Sequence, residues 1–254
     1  NARLYEKMKA EQDKYRGWLL HQEPSEILNH TYEYIVGHND GNVYPNGLIS
    51  RAETATVFFR LLKDEVRDGN LLTSNTYSDV PDDYWANTAI STMTGLDIVR
   101  GYDAAAFGPG DPITRAQFAV MLYRYLKLDE NKYADVALPF ADLDIIPEYA
   151  IPAVKALYTE GVISGAEKNG RLYFNPNNAL TRAQAAAMIG RTQAKGYALA
   201  NLTFTDSGKI PGYADYYIRT MAAQGVINGY SDGSFKPHSN ITRGQMAKIL
   251  YNLM

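Results

Sequence analysis

Apolar positions recur at helical spacing in four stretches of the chain. Thr54, Val57, Phe58 and Leu61 fall at i, i+3, i+4 and i+7, which predicts a helix with one buried face from Ser50 to about Val66. Phe118, Met121, Leu122 and Tyr125 repeat the stripe, as do Ala185, Met188 and Ile189, and then Met246, Ile249 and Leu250. A second kind of helical run carries Ala86, Ala89, Ile90 and Met93; then Ala150, Ala153, Val154 and Leu157; then Ala214, Tyr217, Ile218 and Met221. Core packing accounts for all of these stripes. Residues 3–20 read as a further helix, with Leu4, Met8, Tyr15, Trp18 and Leu19 among charges, weakened by Gly17 and closed near Pro24. The expected class is mostly α, with short extended pieces.

The polar stretches between the helices repeat as well. Gly229-Tyr230-Ser231-Asp232-Gly233-Ser234-Phe235-Lys236-Pro237 is a glycine-rich turn with an inward aromatic and a proline exit, and a helix start at Thr242-Arg243 follows it. Glycines 37, 101, 165 and 229 open such turns at intervals of 64, and prolines 45, 109, 176 and 237 each stand 6 before an arginine. A fixed period means a repeat architecture. Three units open with Tyr77-Ser78-Asp79, Phe140-Ala141-Asp142 and Phe204-Thr205-Asp206, whose aspartates are expected to cap local turns. Gly161 and Gly225, with Asp97 in the second unit, sit where helices end. The expected division is an N-terminal helix and linker (1–29), an incomplete unit (30–67) and full units at 77–128, 140–194 and 204–254.

Candidate chemistry centres on the four helix starts. Ser50 with Glu53, Thr114 with Gln117, Thr181 with Gln184 and Thr242 with Gln245 have capping-box spacing. Arg51, Arg115, Arg182 and Arg243 stand at the first helical position, where the helix dipole disfavours a cation by about 0.3–1 kcal/mol. An anion to be bound would justify that placement, since an arginine fork grips a planar carboxylate with two parallel hydrogen bonds. Asp40, Gly41, Gly101, Tyr102, Gly229, Tyr230, Asp232 and Gly233 would line the site, with turn N–H groups as donors. Tyr102, Tyr230 and Trp85 could cover sugar faces. The plain alternatives are structural salt bridges for the arginines and half-buried packing for the tyrosines.

Composition narrows the classes. Net charge is -3 with mixed signs, and no stretch approaches 18 apolar residues, so neither nucleic acid nor a membrane span is indicated. Cysteine is absent and the four histidines recur in no motif. There is no Gly-x-Ser-x-Gly elbow and no metal-ligand pair at helical spacing. No enzyme, metal or cofactor is expected. A calcium-stabilised structural or adhesion module is the competing class, suggested by Asn39-Asp40-Gly41 and Ser231-Asp232-Gly233, although each turn offers one aspartate only. Asn1 is not preceded by a signal peptide, which fits a mature product, a fragment or a cytoplasmic protein.

With these motifs in place, the chain resembles the S-layer homology (SLH) module over about residues 30 to 254. The resemblance rests on Phe-x-Asp before a first helix, the Gly-Tyr-x-Asp-Gly-x-Phe-x-Pro turn and the Ile-Thr-Arg helix start. It implies helical modules, often three in a pseudo-symmetric spindle, that hold bacterial surface proteins on a secondary cell-wall polysaccharide commonly bearing pyruvate ketals. It implies too that the arginine and turn residues line grooves between neighbouring units, and that the protein is secreted to the cell wall. Self-association in an S-layer would run through parts outside this chain. The third unit departs most, with Ala166 for tyrosine and a turn lengthened to Phe174, so Arg182 is expected to matter least. If each first-half helix packs on the second-half helix of the preceding unit, four second-half helices meet only three first-half helices and the last one lacks a partner; residues 3–20 are expected either to dock there and bring the chain ends together or to form a detached helical stalk or linker from an upstream domain.

Overall fold

The computed structural model describes residues 44–192 and 199–253. The helix expected at 3–20, its docking, and Asp40 and Gly41 lie outside the described residues. The described residues fall into two compact units. One, here the Arg51 unit, holds 44–127, 176–180 and 240–253; the other, the Arg182 unit, holds 128–175 and 181–239.

Helix α1 (Arg51–Arg60) starts at a full capping box between Ser50 and Glu53. It ends at Arg60, earlier than the expected Val66. The Tyr125 hydroxyl donates to the Leu61 carbonyl at 2.7 Å, so a side chain takes the acceptor that a longer helix would have used. Lys63 is extended, with ψ 144°, and a short helix α2 (Asp64–Gly69) follows. Phe58 packs on Phe118 and Tyr125 with ring centroids 5.3 and 5.2 Å apart. Among the first-half helices, α3 (Asn87–Gly95) packs against α1.

Helix α4 (Arg115–Tyr125) has the second capping box. Helix α5 (Ile151–Thr159) packs on a 3-10 turn at Glu130–Tyr133. There the buried Glu160 carboxylate accepts from Lys132 Nζ at 2.8 Å and from the Tyr133 hydroxyl. The longer third turn is a small hairpin, β1 (Ala166–Lys168) antiparallel to β2 (Arg171–Tyr173). Helices α6 (Arg182–Thr192) and α7 (Gly212–Ala223) pack face to face. A Cβ on Gly190 would lie 2.7 Å from that of Tyr217, so the glycine sets how closely they approach. Helix α8 (Arg243–Leu253) ends the described chain.

The repeats share their backbone. The residue before the proline of each turn has a positive φ: 47° at Tyr44, 70° at Gly108, 56° at Asn175 and 55° at Lys236. Three first-half helices are followed by a left-handed residue, Asp97 (56°), Gly161 (66°) or Gly225 (72°).

The segments ahead of the helix starts are joined in a closed series. The Arg51 N–H donates to Asp111 O, Arg115 N–H to Asn178 O and Arg243 N–H to Gly47 O, all within the Arg51 unit. Bridges Ser50 to Pro112, Thr114 to Ala179 and Leu48 to Thr242, with the Ile241 N–H donating to Leu180 O, complete the circuit. The last repeat therefore returns to the first through residues 45–53. Within the Arg182 unit the Arg182 N–H donates to Ser239 O in the same manner.

Candidate functional site

Each turn is built around the aspartate of the preceding first half. Asp79 accepts from the N–H groups of Phe107 and Gly108, Asp142 from Phe174 and Asn175, and Asp206 from Phe235 and Lys236, at 2.7–3.2 Å. These aspartates do not cap local turns; each ties a turn about 30 residues further on. Burial raises the Asp206 carboxyl, but the donated N–H groups of Phe235 and Lys236 outweigh it and hold the group below the usual carboxylate range.

The opening glycines serve packing. A Cβ on Gly101 would lie 2.5 Å from both Ala106 O and the Tyr77 ring, and one on Gly229 would lie 2.9 Å from Phe204 and Ser234 O. Turn N–H groups are also largely spent inside the turn: Tyr102 to Ala106 O, Tyr230 to Ser234 O, Gly233 to Tyr230 O, and Gly101 to the Tyr77 hydroxyl. The concave donor surface expected of the glycines is thus not what they supply.

Arg51 crosses to the turn of the following repeat. Its Nε donates to Phe107 O at 2.8 Å and a terminal nitrogen donates to Arg100 O at 2.9 Å. The guanidinium lies 4.5 Å from the Tyr102 ring centroid and 4.7 Å from that of Phe107, within cation–π range. Tyr102 itself is 55% exposed, and its hydroxyl donates to Asp111 Oδ2 at 2.8 Å. Burial and the Asp111 bond push this phenol up, while a Gln117 donor and the Arg51 charge pull it down.

Arg182 repeats this in the other unit. Nε donates to Phe235 O at 2.9 Å and a terminal nitrogen to Asn228 O at 3.3 Å, with the Tyr230 and Phe235 rings at 4.9 and 4.7 Å. Desolvation lowers the Arg182 pKa, opposed by Tyr230 and Asp206. Lys236 covers Tyr230 at 4.1 Å and pairs with Asp232 at 3.0 Å. Hydrogen bonds from Ser234, then Lys236, hold the Asp232 carboxyl well below its ordinary range. Arg182 therefore stands beside the best-preserved turn, not the degraded Gly165–Phe174 turn of its own repeat.

Arg115 and Arg243 are buried like the other two. Arg243 differs in partner: its terminal nitrogen lies 2.6 Å from Glu53 Oε1, and the two side chains are 10% and 1% exposed. Trp85 is half-buried beside Tyr84, ring centroids 5.9 Å apart. Burial raises the Tyr84 hydroxyl, a Trp85 hydrogen bond lowers it, and the charges of Glu53 and Arg243 both reach it.

Glu53, Asp111 and the carbonyls of Arg100 and Phe107 went unrecognised in the sequence. For Glu53 a signal was present, because the other three capping boxes carry glutamine at that place. Among the described residues no group of three or more His, Cys, Asp or Glu side chains could hold a metal ion, and no helix is long and apolar enough to cross a membrane.

Comparison with known proteins places this geometry. The S-layer homology domain family model matches residues 76–119, 139–186 and 203–247, together more than half of the chain. A second model, described as a protein of unknown function (DUF3848), matches residues 1–42. The first repeat escapes the SLH model, although residues 45–53 carry the same helix start and backbone bonds. An amylopullulanase of Thermoanaerobacterium thermosulfurigenes is 32% identical over 70% of this chain and 9% of its own length. The cellulosome-anchoring protein of Acetivibrio thermocellus is 30% identical over 76% of this chain and 42% of its own. A surface-layer 125 kDa protein of Lysinibacillus sphaericus is 33% identical over 62% of this chain and 13% of its own. The chain spans less than half the length of each of these relatives. The chain belongs to the S-layer homology domain family and carries SLH repeats of a cell-surface protein.

Proposed function

We propose that this chain is a non-catalytic cell-wall anchoring module that binds an anionic secondary cell-wall polysaccharide, pyruvate-bearing in the simplest case, through arginine-centred grooves. The family supplies the anchoring role. One observation carries the finer reading: Arg51 and Arg182, in different compact units, adopt the same posture against the turn of the following repeat. Two of their N–H groups bond to backbone carbonyls, and a tyrosine flanks each guanidinium. That posture fixes the cation before any ligand arrives, which reduces the ordering cost of binding. A buried guanidinium also meets a carboxylate in a low-dielectric setting, where charge-assisted bonds strengthen. Tyr102, more than half exposed, offers a ring to a sugar face.

Arg115 and Arg243, the turn residues Gly101, Gly229, Asp232 and Gly233, and Trp85 enter as supports of these grooves rather than as direct ligands. The proposal extends to a pseudo-symmetric assembly of the repeats, supported by the recurring backbone bonds at the helix starts. A pull-down on purified sacculi tests the reading. Untreated walls should retain the protein, and walls stripped of polysaccharide by acid should not; equal retention on both would exclude the glycan as the partner.

A further inference from the structure

Three asparagine–glycine pairs occur in the sequence, Asn46-Gly47, Asn169-Gly170 and Asn228-Gly229, and the fold treats them differently. In such a pair the glycine nitrogen can attack the asparagine side-chain amide carbon, because no Cβ on the second residue obstructs the approach. The attack needs an exposed side chain and a glycine N–H free to give up its proton. All three asparagines are exposed. The Gly47 N–H, however, donates to Tyr44 O at 2.9 Å in a tight turn. Asn169 and Gly170 form the left-handed tip of the β1–β2 hairpin, with φ 53° and 71°, and among the described residues no cation is bonded to the peptide that joins them. Asn228-Gly229 opens the last turn, and two features set it apart. The Gly229 N–H has no hydrogen-bond partner among the described residues. Its counterpart, the Gly101 N–H, donates to the Tyr77 hydroxyl at 3.0 Å; Phe204 takes that place beside Gly229 and has no hydroxyl. The second feature is Arg182. Its terminal nitrogen donates at 3.3 Å to the Asn228 carbonyl, which belongs to the same peptide whose nitrogen must attack. A cation on that oxygen stabilises the charge of the deprotonated amide and so favours the nucleophile. The Asn228 side chain is held only by a 3.4 Å bond to Gly225 O.

We propose that Asn228 is a self-modification site, at which Arg182 promotes the formation of a carboxylate against its own guanidinium. The Gly229 nitrogen bonds to the Asn228 side-chain carbon. Its proton passes through solvent to the side-chain nitrogen, which leaves as ammonia, and a cyclic imide closes. Water then adds to one imide carbonyl, and the carbon–nitrogen bond there breaks. Neither step is a redox step, and water is the sole co-reactant. Addition at the former main-chain carbonyl is favoured, because Arg182 is aimed at that oxygen and stabilises the charge it acquires. The product is isoaspartate: the main chain runs on through the former side-chain carbon, and the oxygen that Arg182 held becomes part of a free carboxylate. Guanidinium and carboxylate then form a charge-assisted pair, and the backbone is one methylene longer at the head of the turn. The Arg182 seat, whose role rests on the glycan reading above, thereby closes with age. The Arg51 seat does not, because the carbonyl it holds belongs to Arg100, which cannot cyclise.

The full chain is incubated in mildly alkaline buffer, and isoaspartate at each pair is followed by peptide mass spectrometry with enzymatic isoaspartate methylation. Wild type, R182Q, F204Y and wild type in denaturant are compared. In folded wild type Asn228 is expected to convert faster than Asn169, and Asn46 slowest. R182Q slows conversion at Asn228 at least about fivefold and shifts its product toward ordinary aspartate. F204Y slows it too, because a hydroxyl beside Gly229 takes up the N–H as Tyr77 does for Gly101. Asn169 is the internal clock, with one rate in every folded variant, and in denaturant the preference for Asn228 disappears. Conversion at Asn228 no faster than at Asn169 in folded wild type overturns the proposal, as does an unchanged rate in R182Q. If R182Q does not fold, which a changed rate at Asn169 reveals, an unchanged rate in F204Y overturns it instead. Aged wild type is then separated into modified and unmodified fractions for binding to purified sacculi, with fresh R182Q alongside. The fraction modified at Asn228 should lose affinity as far as R182Q does. Loss in R182Q without loss in the modified fraction overturns the closure of the seat and leaves the glycan reading intact. Wild-type affinity in R182Q refutes the glycan reading at this seat and the closure with it, and the peptide rates alone then decide the modification.

Discussion

Asp97 occupies the left-handed position that Gly161 and Gly225 hold in the other two full repeats, with φ 56°. A non-glycine residue there costs about 1–2 kcal/mol. Asp97 recovers part of it through an exposed pair with Arg100, 2.6 Å apart and over half exposed on both sides, a pair worth about 0–1 kcal/mol. Asp97→Gly is therefore expected to stabilise the protein by about 0.5–1 kcal/mol, raising Tm by roughly 1–4 °C in a thermal scan. A fall in Tm would show that the ion pair outweighs the backbone strain. Asp206 gives a pH-dependent counterpart. Its folded pKa is depressed, so its contribution is fully present above the unfolded carboxylate pKa and is lost as pH falls through the folded value. Asp206→Asn should lower stability at neutral pH and flatten the decline below about pH 4. An unchanged acid limb in denaturant titrations would contradict that role.

At the level of single elements, what was legible was local. The capping boxes and the left-handed helix ends depend on neighbours within a few positions, and the structure has them. The early end of α1 was not legible, because it depends on Tyr125, 64 residues away from Leu61. Nor was the true partner of Arg182. Its turn lies 46–53 residues further on, in the following repeat, whereas reading along the chain pairs it with the nearer turn behind it. Arg182 therefore belongs with Arg51 among the residues expected to bind. The α6–α7 contact gives a direct check on packing. Gly190→Ala places a methyl 2.7 Å from Tyr217 Cβ, and overpacking of this kind costs about 1–3 kcal/mol. Urea unfolding should show a lower midpoint; an unchanged midpoint would mean the helices can separate freely.

For the whole molecule, the relevant feature is closure of the helix-start segments. The expectation of an unpartnered last helix came from counting first-half and second-half helices along the chain. The described contacts show that the start of α8 is bonded to residues 45–53 of the first repeat through Arg243, Gly244 and the Glu53 carboxylate. The helix start of the first repeat thus completes the circuit within the Arg51 unit. Removing residues 240–254 should expose Ile49 and Glu53, both buried, and lower Tm. Amide exchange at Arg51 and Ala52 should stay slow, because their acceptors are Asp111 and Pro109 rather than the deleted segment.

Surface retention through Arg51 and Arg182 is the central claim, and titration of purified wall polysaccharide with the R51Q/R182Q double variant tests it most directly. The account predicts tight binding by wild type, loss of at least about a hundredfold in the double variant when measured well below its Tm, which falls because the carbonyls of Phe107 and Phe235 lose their buried donors, and a matching loss for wild type once the pyruvate groups are removed from the polymer. A correctly folded double variant that binds the intact polysaccharide as wild type does would contradict it.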